Sequence, residues 1–146
     1  MRILVDGDGC PVINHTIEIA KRYNTEVIIF CDTAHQIERD YAVTRLVEKG
    51  NDSVDFKIAN EAKRGDLIIT GDYGLVAMCK AKNAHVMNHN GLIFTDDNLD
   101  NFLFARHIGK EIRRKGGRTK GPKKRDKSND ESFKQALIKM LDKELL

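Results

Sequence analysis

Residues 2–11 read Arg2-Ile3-Leu4-Val5-Asp6-Gly7-Asp8-Gly9-Cys10-Pro11. A short apolar run that ends on an acid, passes two glycines and meets a proline describes a buried strand, an open turn and a helix start. Strands of a parallel sheet are apolar on both faces and so read as continuous runs. Pro11 suits the first turn of a helix, where its missing N–H has no partner to lose. The helix follows over residues 12–23. At about 100° per residue Val12, Ile17, Ile19, Ala20 and Tyr23 gather on one side, opposite Asn14, Glu18, Lys21 and Arg22.

The same alternation continues along the chain. Residues 26–31 are apolar and β-branched, hence a strand. Residues 32–50 are expected to hold a helix near 36–41 and a short strand near 42–47. Residues 52–64 read as a helix, 67–70 as a strand, 73–82 as a helix and 84–87 as a strand. Strands alternating with helices over this length imply an α/β chain with a mainly parallel sheet covered on both faces, a three-layer α/β/α arrangement. Residues 99–114 form a longer amphipathic helix with Phe102, Leu103, Ala105, Ile108 and Ile112 available for burial. A Gly/Lys/Arg-rich loop leads to a last helix over residues 131–146, docked through Phe133, Leu137, Met140 and Leu141. There is no internal repeat, and 146 residues suit one domain.

Composition excludes several classes. Apolar residues make up 40%, enough for one core. The longest apolar runs are about four residues, far short of the ~20 that cross a bilayer, so no membrane association is expected. Asp6 comes too soon after Met1 for a secretory signal, whose apolar core runs about 7–15 residues. Cys10, Cys31 and Cys79 are odd in number and form no C-x-x-C, which points to a reduced, cytoplasmic protein.

The formal charge of +3 conceals a division. Residues 106–127 hold 11 basic and two acidic side chains, a net +9; the remaining 14 basic and 20 acidic make −6. A basic strip on an acidic body points toward a polyanion partner, although charge runs are more often solvated surface. The Gly116-Gly117 and Gly121-Pro122 pairs in the strip expose backbone among the cations.

In open parallel sheets, sites form beyond the carboxyl ends of the strands. Asp6 and Asp8 lie just past the first strand, and Asp72 just past residues 67–70, so the three share one edge if both strands are central. Asp66 precedes its strand, roughly 20 Å from Asp72 at ~3.3 Å per residue, and belongs to the opposite edge. Asp55 falls near 100° on the wheel of its helix, amid Ile58, Ala62, Ala59 and Phe56. A carboxylate aimed at the core needs a partner; equally, Asp52 as N-cap and Asp55 in the first turn would both favour the helix dipole. Converging carboxylates stay ionised only beside a cation, and hard oxygen ligands favour Mg²⁺ or Mn²⁺. Such an ion orients and ionises a water for attack on a phosphodiester. Gly7 and Gly9 keep the approach open.

Other readings of the opening motif fare worse. An EF-hand starting at Asp6 would need Gly where Pro11 stands and Glu where Ile17 stands. A haloacid-dehalogenase-like phosphatase also opens strand–Asp-x-Asp, but Cys10 replaces its usual Thr or Val and Val76 stands where a later acid belongs. The P-loop pattern is absent. His15, His35, His85, His89 and His107 show no metal-ligand spacing, and His107 is of interest beside Arg106. Cys10 at a helix start has the setting of a lowered thiol pKa but no evident base.

Four stretches together resemble the uncharacterised bacterial YaiI/YqxD family. They are Val5-Asp6-Gly7-Asp8-Gly9-Cys10-Pro11-Val12; Asp52-Ser53-Val54-Asp55-Phe56; Gly65-Asp66-Leu67-Ile68-Ile69-Thr70-Gly71-Asp72-Tyr73-Gly74-Leu75; and Arg106-His107 with Arg113-Arg114-Lys115-Gly116-Gly117-Arg118-Thr119-Lys120-Gly121-Pro122. That family is similar to PIN-like domains, which include metal-dependent RNases. The resemblance implies a single PIN-like domain over residues 1–146, with 106–127 as a basic segment and 130–146 as a C-terminal helix. It matches Asp6 to the acid after the first PIN strand, Asp55 to the acid opening the later helix, and Asp72 to the Thr-x-Asp acid; Asp8 and Asp52 belong to the narrower family's pattern. A further acid on a middle helix is unassigned among Glu38, Asp40 and Glu48.

The resulting expectation is a metal-dependent nuclease, with RNA the expected substrate. Asp6, Asp55 and Asp72 would be catalytic, and Asp6, Asp8, Asp52, Asp55 and Asp72 would hold Mg²⁺ or Mn²⁺. Arg106, His107, Arg113, Arg114, Arg118, Lys120, Lys123 and Lys124 would meet nucleic acid. The alternatives are a non-catalytic nucleic-acid-binding module on the same fold, or the phosphatase.

Overall fold

A computed structural model describes residues 1–49, 53–119 and 123–145. The order of elements is β1 (Arg2–Asp6), α1 (Ile13–Arg22), β2 (Glu26–Asp32), β3 (Val43–Val47), α2 (Ser53–Glu61), β4 (Leu67–Ile69), α3 (Tyr73–Lys80), β5 (His85–Met87), α4 (Asp96–Arg114) and α5 (Lys127–Leu145). The five strands form one sheet in the order β3-β2-β1-β4-β5, and every adjacent pair is parallel.

The strand side chains divide by parity, as a two-residue pleat requires. Ile3, Val5, Val27, Ile29, Leu67, Ile69 and Met87 face a layer made by α1 and α5, where Ile17, Ala20, Phe133, Leu137 and Leu141 are buried. Leu4, Ile28, Phe30, Ile68 and Val86 face the other layer, with Ile58, Ala59 and Ala62 of α2, Leu75, Val76 and Cys79 of α3, and Leu99 of α4. This is the expected three-layer α/β/α arrangement, and the uninterrupted apolar runs at residues 3–5, 27–31 and 67–69 exist because both faces are covered.

Three sequence expectations fail. No helix forms over residues 36–41. Asp32 Oδ1 instead accepts the N–H groups of Ala34 and His35, at 2.9 and 2.8 Å, closing a local turn that competes with helix. Tyr41 donates to the Thr25 carbonyl at 2.7 Å and Thr44 to the Ile37 carbonyl at 2.7 Å, holding an irregular segment in place. The long helix starts earlier than residue 99, because Thr95 and Asn98 form a reciprocal capping box. Of the side chains expected to bury along it, Leu103, Ala105, Ile108 and Ile112 are exposed; Leu99 is buried and Phe102 half-buried.

Gly7 has a different role from the one expected. Its N–H donates to the Phe30 carbonyl at 2.9 Å, and a Cβ there would lie 2.9 Å from that same oxygen. The absence of a side chain lets the chain leaving β1 stay against β2.

At the other end of β1 lies the acid assigned to the opposite edge. The β1–β4 register pairs Ile3 with Leu67, which brings Arg2 beside Asp66. Arg2 donates to Asp66 at 2.7 and 3.2 Å, and the Lys63 N–H adds a bond at 2.9 Å. Burial alone would raise the Asp66 carboxyl, but Arg2 and Lys63 outweigh it and hold it below the usual range. A depressed folded-state pKa stabilises above the unfolded value and is lost as pH falls through the folded one. Asp66→Ala should therefore lose about 2 kcal/mol at pH 7 in urea unfolding, with the deficit shrinking below about pH 4. An unchanged midpoint at pH 7 would show the pair to be idle.

Candidate functional site: an aspartate cleft at the strand ends

The chain leaves β1 toward β2 on one side and returns as β4 on the other. The order therefore reverses between β1 and β4, where an open parallel sheet leaves a crevice at its carboxyl edge. A cleft of about 690 Å³ lies there, lined by Asp6, Asp8, Asp32, Val54, Asp55, Gly71, Asp72, Tyr73, His89 and Arg106.

Each acid has a structural reason for its position. Asp6 ends β1, one residue beyond the Val5–Ile69 pair, so it meets Thr70 across the strands. The buried Thr70 hydroxyl donates to Asp6 Oδ2 at 2.9 Å and accepts the Asp72 N–H at 3.1 Å. One hydroxyl thus ties the ends of β1 and β4 together. Asp72 is also the N-cap of α3, with Oδ1 accepting from Gly74 at 2.8 Å and Leu75 at 3.4 Å. Asp55 lies in the first turn of α2, half-buried and on the cleft. The wheel placed it among four apolar residues; Ile58, Ala59 and Ala62 are buried and Phe56 is 56% exposed. Asp8 is exposed on the turn after β1. Asp52 lies outside the described residues.

Burial pushes the Asp6 carboxyl up, and the charges of Asp72 and Asp8 push the same way, against the Thr70 hydrogen bond. The cleft thus holds like charges in partial exclusion from water, with Arg106 the cation among its described lining residues. Among the described residues, no three His, Cys, Asp or Glu side chains lie close enough together to hold one metal ion. The carboxylates of the lining are oxygen donors, the kind that hard divalent cations take.

Two lining residues escaped the sequence reading. Asp32 ends β2 as Asp6 ends β1, so the same strand-end rule would have found it. Burial would raise its carboxyl, but the His35 ring, 3.0 Å away, and two backbone N–H groups hold it below the usual range. The acids proposed for a middle position do not reach the cleft. Glu38, Asp40 and Glu48 are exposed, and Asp40 borders a separate depression beside α1 with Asn14 and Arg39. His89 follows β5 by two residues. Its Nε2 is buried with no hydrogen-bond partner, and burial followed by the nearby Arg125 lowers its pKa, which keeps the ring neutral. Cys10 is corrected in the opposite direction: burial pushes its thiol up to about 11 despite the helix start, so it is no thiolate nucleophile at neutral pH.

The basic residues divide. The rings of Tyr73, Phe94 and Phe102 pack with centroids 5.6–5.9 Å apart, anchoring α4 to the body; one turn beyond Phe102, Arg106 reaches the cleft. His107, Arg118, Lys123 and Lys124 are exposed. Arg113 donates to Thr119 at 2.9 Å, and Arg114 pairs with Glu111 at 2.6 Å. Arg125 is structural, holding Asp130 and Asn90 and the His89 carbonyl. Lys120 lies outside the described residues. Among the described residues no helix is long and apolar enough to cross a membrane, and Cys10, Cys31 and Cys79 are free thiols.

The family model of the uncharacterised YaiI/YqxD family matches residues 4–143, and the chain belongs to that family. It is 48% identical over 141 residues to a UPF0178 protein of Exiguobacterium sibiricum, covering 97% of this chain and 96% of that one. It is 49% identical over 138 residues to one of Ruminiclostridium cellulolyticum, covering 94% and 90%. No solved structure matches it.

The two main acids of the cleft should respond differently to substitution. A raised folded-state pKa means stability is complete below the unfolded value and lost as pH rises through the folded one. In metal-free buffer Asp6→Asn, which retains an acceptor for Thr70, should therefore melt higher than the parent at pH 7, with the gain vanishing near pH 4. Asp72→Asn should be near neutral because Asn also caps helices, whereas Asp72→Ala should lose about 1 kcal/mol. Thermal melts across pH check both; an Asp6→Asn protein that melts lower at pH 7 would contradict the charge reading.

Proposed function

We propose that this is a cytoplasmic, metal-dependent nuclease that hydrolyses phosphodiester bonds, with RNA the expected polymer. The observation that carries this reading is the juxtaposition of Asp6, Asp8, Asp32, Asp55 and Asp72 around one cleft with Arg106 at its rim. A cleft so acidic repels a polyanion unless a cation stands between them. Mg²⁺ or Mn²⁺ would supply that charge, polarise a phosphate oxygen and favour ionisation of a water. Asp6 and Asp72, joined through Thr70, would be the primary holders; Asp8 and Asp55 flank them, and Asp32 at the end of β2 adds a further acid to the cleft. Arg106 would neutralise the substrate backbone at the cleft. His107, Arg113, Arg114, Arg118, Lys123 and Lys124 would extend that contact along α4 and the segment after it; Lys120, expected in the same contact, and Asp52, expected in the metal set, lie outside the described residues. The N-termini of α2 and α3, which carry Asp55 and Asp72, point their partial positive charge at the same place.

One observation favours a second reading, a nucleic-acid-binding module without catalysis: no three donors are gathered for one ion among the described residues. The two readings separate in one set of experiments. Purified protein with Mn²⁺ should cleave labelled single-stranded or structured RNA, and Asp6→Asn and Asp72→Asn should each abolish cleavage while retaining binding. Replacing Arg113, Arg114 and Arg118 with Ala should weaken binding and flatten its salt dependence by roughly 2 in log–log slope. Cleavage that survives in both Asp variants would overturn the nuclease reading. Binding with no cleavage of any RNA or DNA under Mn²⁺ or Mg²⁺ would leave the module.

A further inference from the structure

Helix α4 presents two unlike faces. Taking Arg106 as origin at about 100° per residue, Leu99, Phe102, Lys110 and Arg113 fall within about 40° of it. This face is apolar where α4 lies on the body and cationic where it extends past the cleft. Asp97, Phe104, Ile108 and Lys115 fall within about 20° of the opposite direction. There Phe104 is 66% exposed and Ile108 42%, with Ile112 beside them at 42%. Exposed apolar side chains at helical spacing on one stripe are unusual for a surface that meets only water.

We infer that this outward stripe pairs with the same stripe of a second copy of the chain, the two α4 helices running antiparallel. The charge pattern selects both the occupant and the direction. On this stripe the first turn of α4 carries Asp97 and its end carries the cap residue Lys115. In one antiparallel register Phe104 lies over Ile108 of the second copy, and Asp97 over Lys115 of the second copy, because both pairs are symmetric about residue 106. A parallel pair would set Asp97 against Asp97 and Lys115 against Lys115. Glu111, on the flank, is already paired with Arg114 at 2.6 Å. Nucleic acid in the cleft meets the opposite face, and the acids along the stripe disfavour a second strand or an anionic lipid surface there. The seam is short, so the dimer forms at micromolar rather than nanomolar concentration.

Sedimentation equilibrium of the full chain, from low to high micromolar, tests this. The expected result is a concentration-dependent dimer that Ile108→Glu reduces to monomer while its circular dichroism stays unchanged, since Ile108 is exposed. Asp97→Lys and Lys115→Glu should each weaken the dimer several-fold, and the two together should restore it. A parent chain that remains monomeric throughout, or a dimer indifferent to Ile108→Glu, would overturn the interface. Failure of the double charge swap to restore pairing would overturn the antiparallel register.

Discussion

The β1–β4 ladder is the constraint on which the rest depends. Three buried pairs, Ile3–Leu67, Leu4–Ile68 and Val5–Ile69, fix its register. That register is closed at each end by a polar cross-strand pair: Arg2 with Asp66 at the start, Asp6 with Thr70 at the finish. A slip of one residue would turn every apolar side chain to the wrong layer and part both pairs. Because the ladder lies at the reversal point of the sheet, fixing its end also fixes the cleft. Asp6 arrives on β1, Asp72 caps the helix that β4 leads into, and one buried hydroxyl joins them.

The electrostatics of the cleft run against stability. Asp6 is held partly away from water beside two other carboxylates, a cost the apolar sheet must offset. The same group at the other end of the ladder, Asp66, has a guanidinium and a backbone N–H and is stabilised. Two aspartates on neighbouring strand ends thus have opposite surroundings, one resolved by protein partners and the other left facing a cavity. That contrast is what supports the proposal of a cation at the cleft.

Much of this was legible in the sequence. Uninterrupted apolar runs gave the buried parallel strands, and strand-end logic placed Asp6 and Asp72 together and Asp66 apart. The same logic extends to Asp32 at the end of β2 and His89 after β5, but a single acid or histidine in such a place carries no motif to mark it. Three features lay beyond pattern reading. The segment over residues 36–41 depends on the bond from Tyr41 to the Thr25 carbonyl on the approach to β2 and on the bond from Thr44 of β3 to the Ile37 carbonyl. Gly7 is needed for contact with Phe30, which adjacency in sequence does not reveal. For α4, periodicity finds apolar residues on two faces but cannot say which face the body covers. The ring cluster of Tyr73, Phe94 and Phe102 decides that, and leaves Phe104, Ile108 and Ile112 outward.

The central claim is that the acidic cleft is a cation site able to receive a phosphodiester. Its most direct test is a crystal of the full chain soaked in Mn²⁺, with anomalous scattering used to locate the ion. The expected result is a peak in the cleft beside Asp6 and Asp72. A cleft without a peak at saturating Mn²⁺, or an ion bound only elsewhere on the chain, would contradict it.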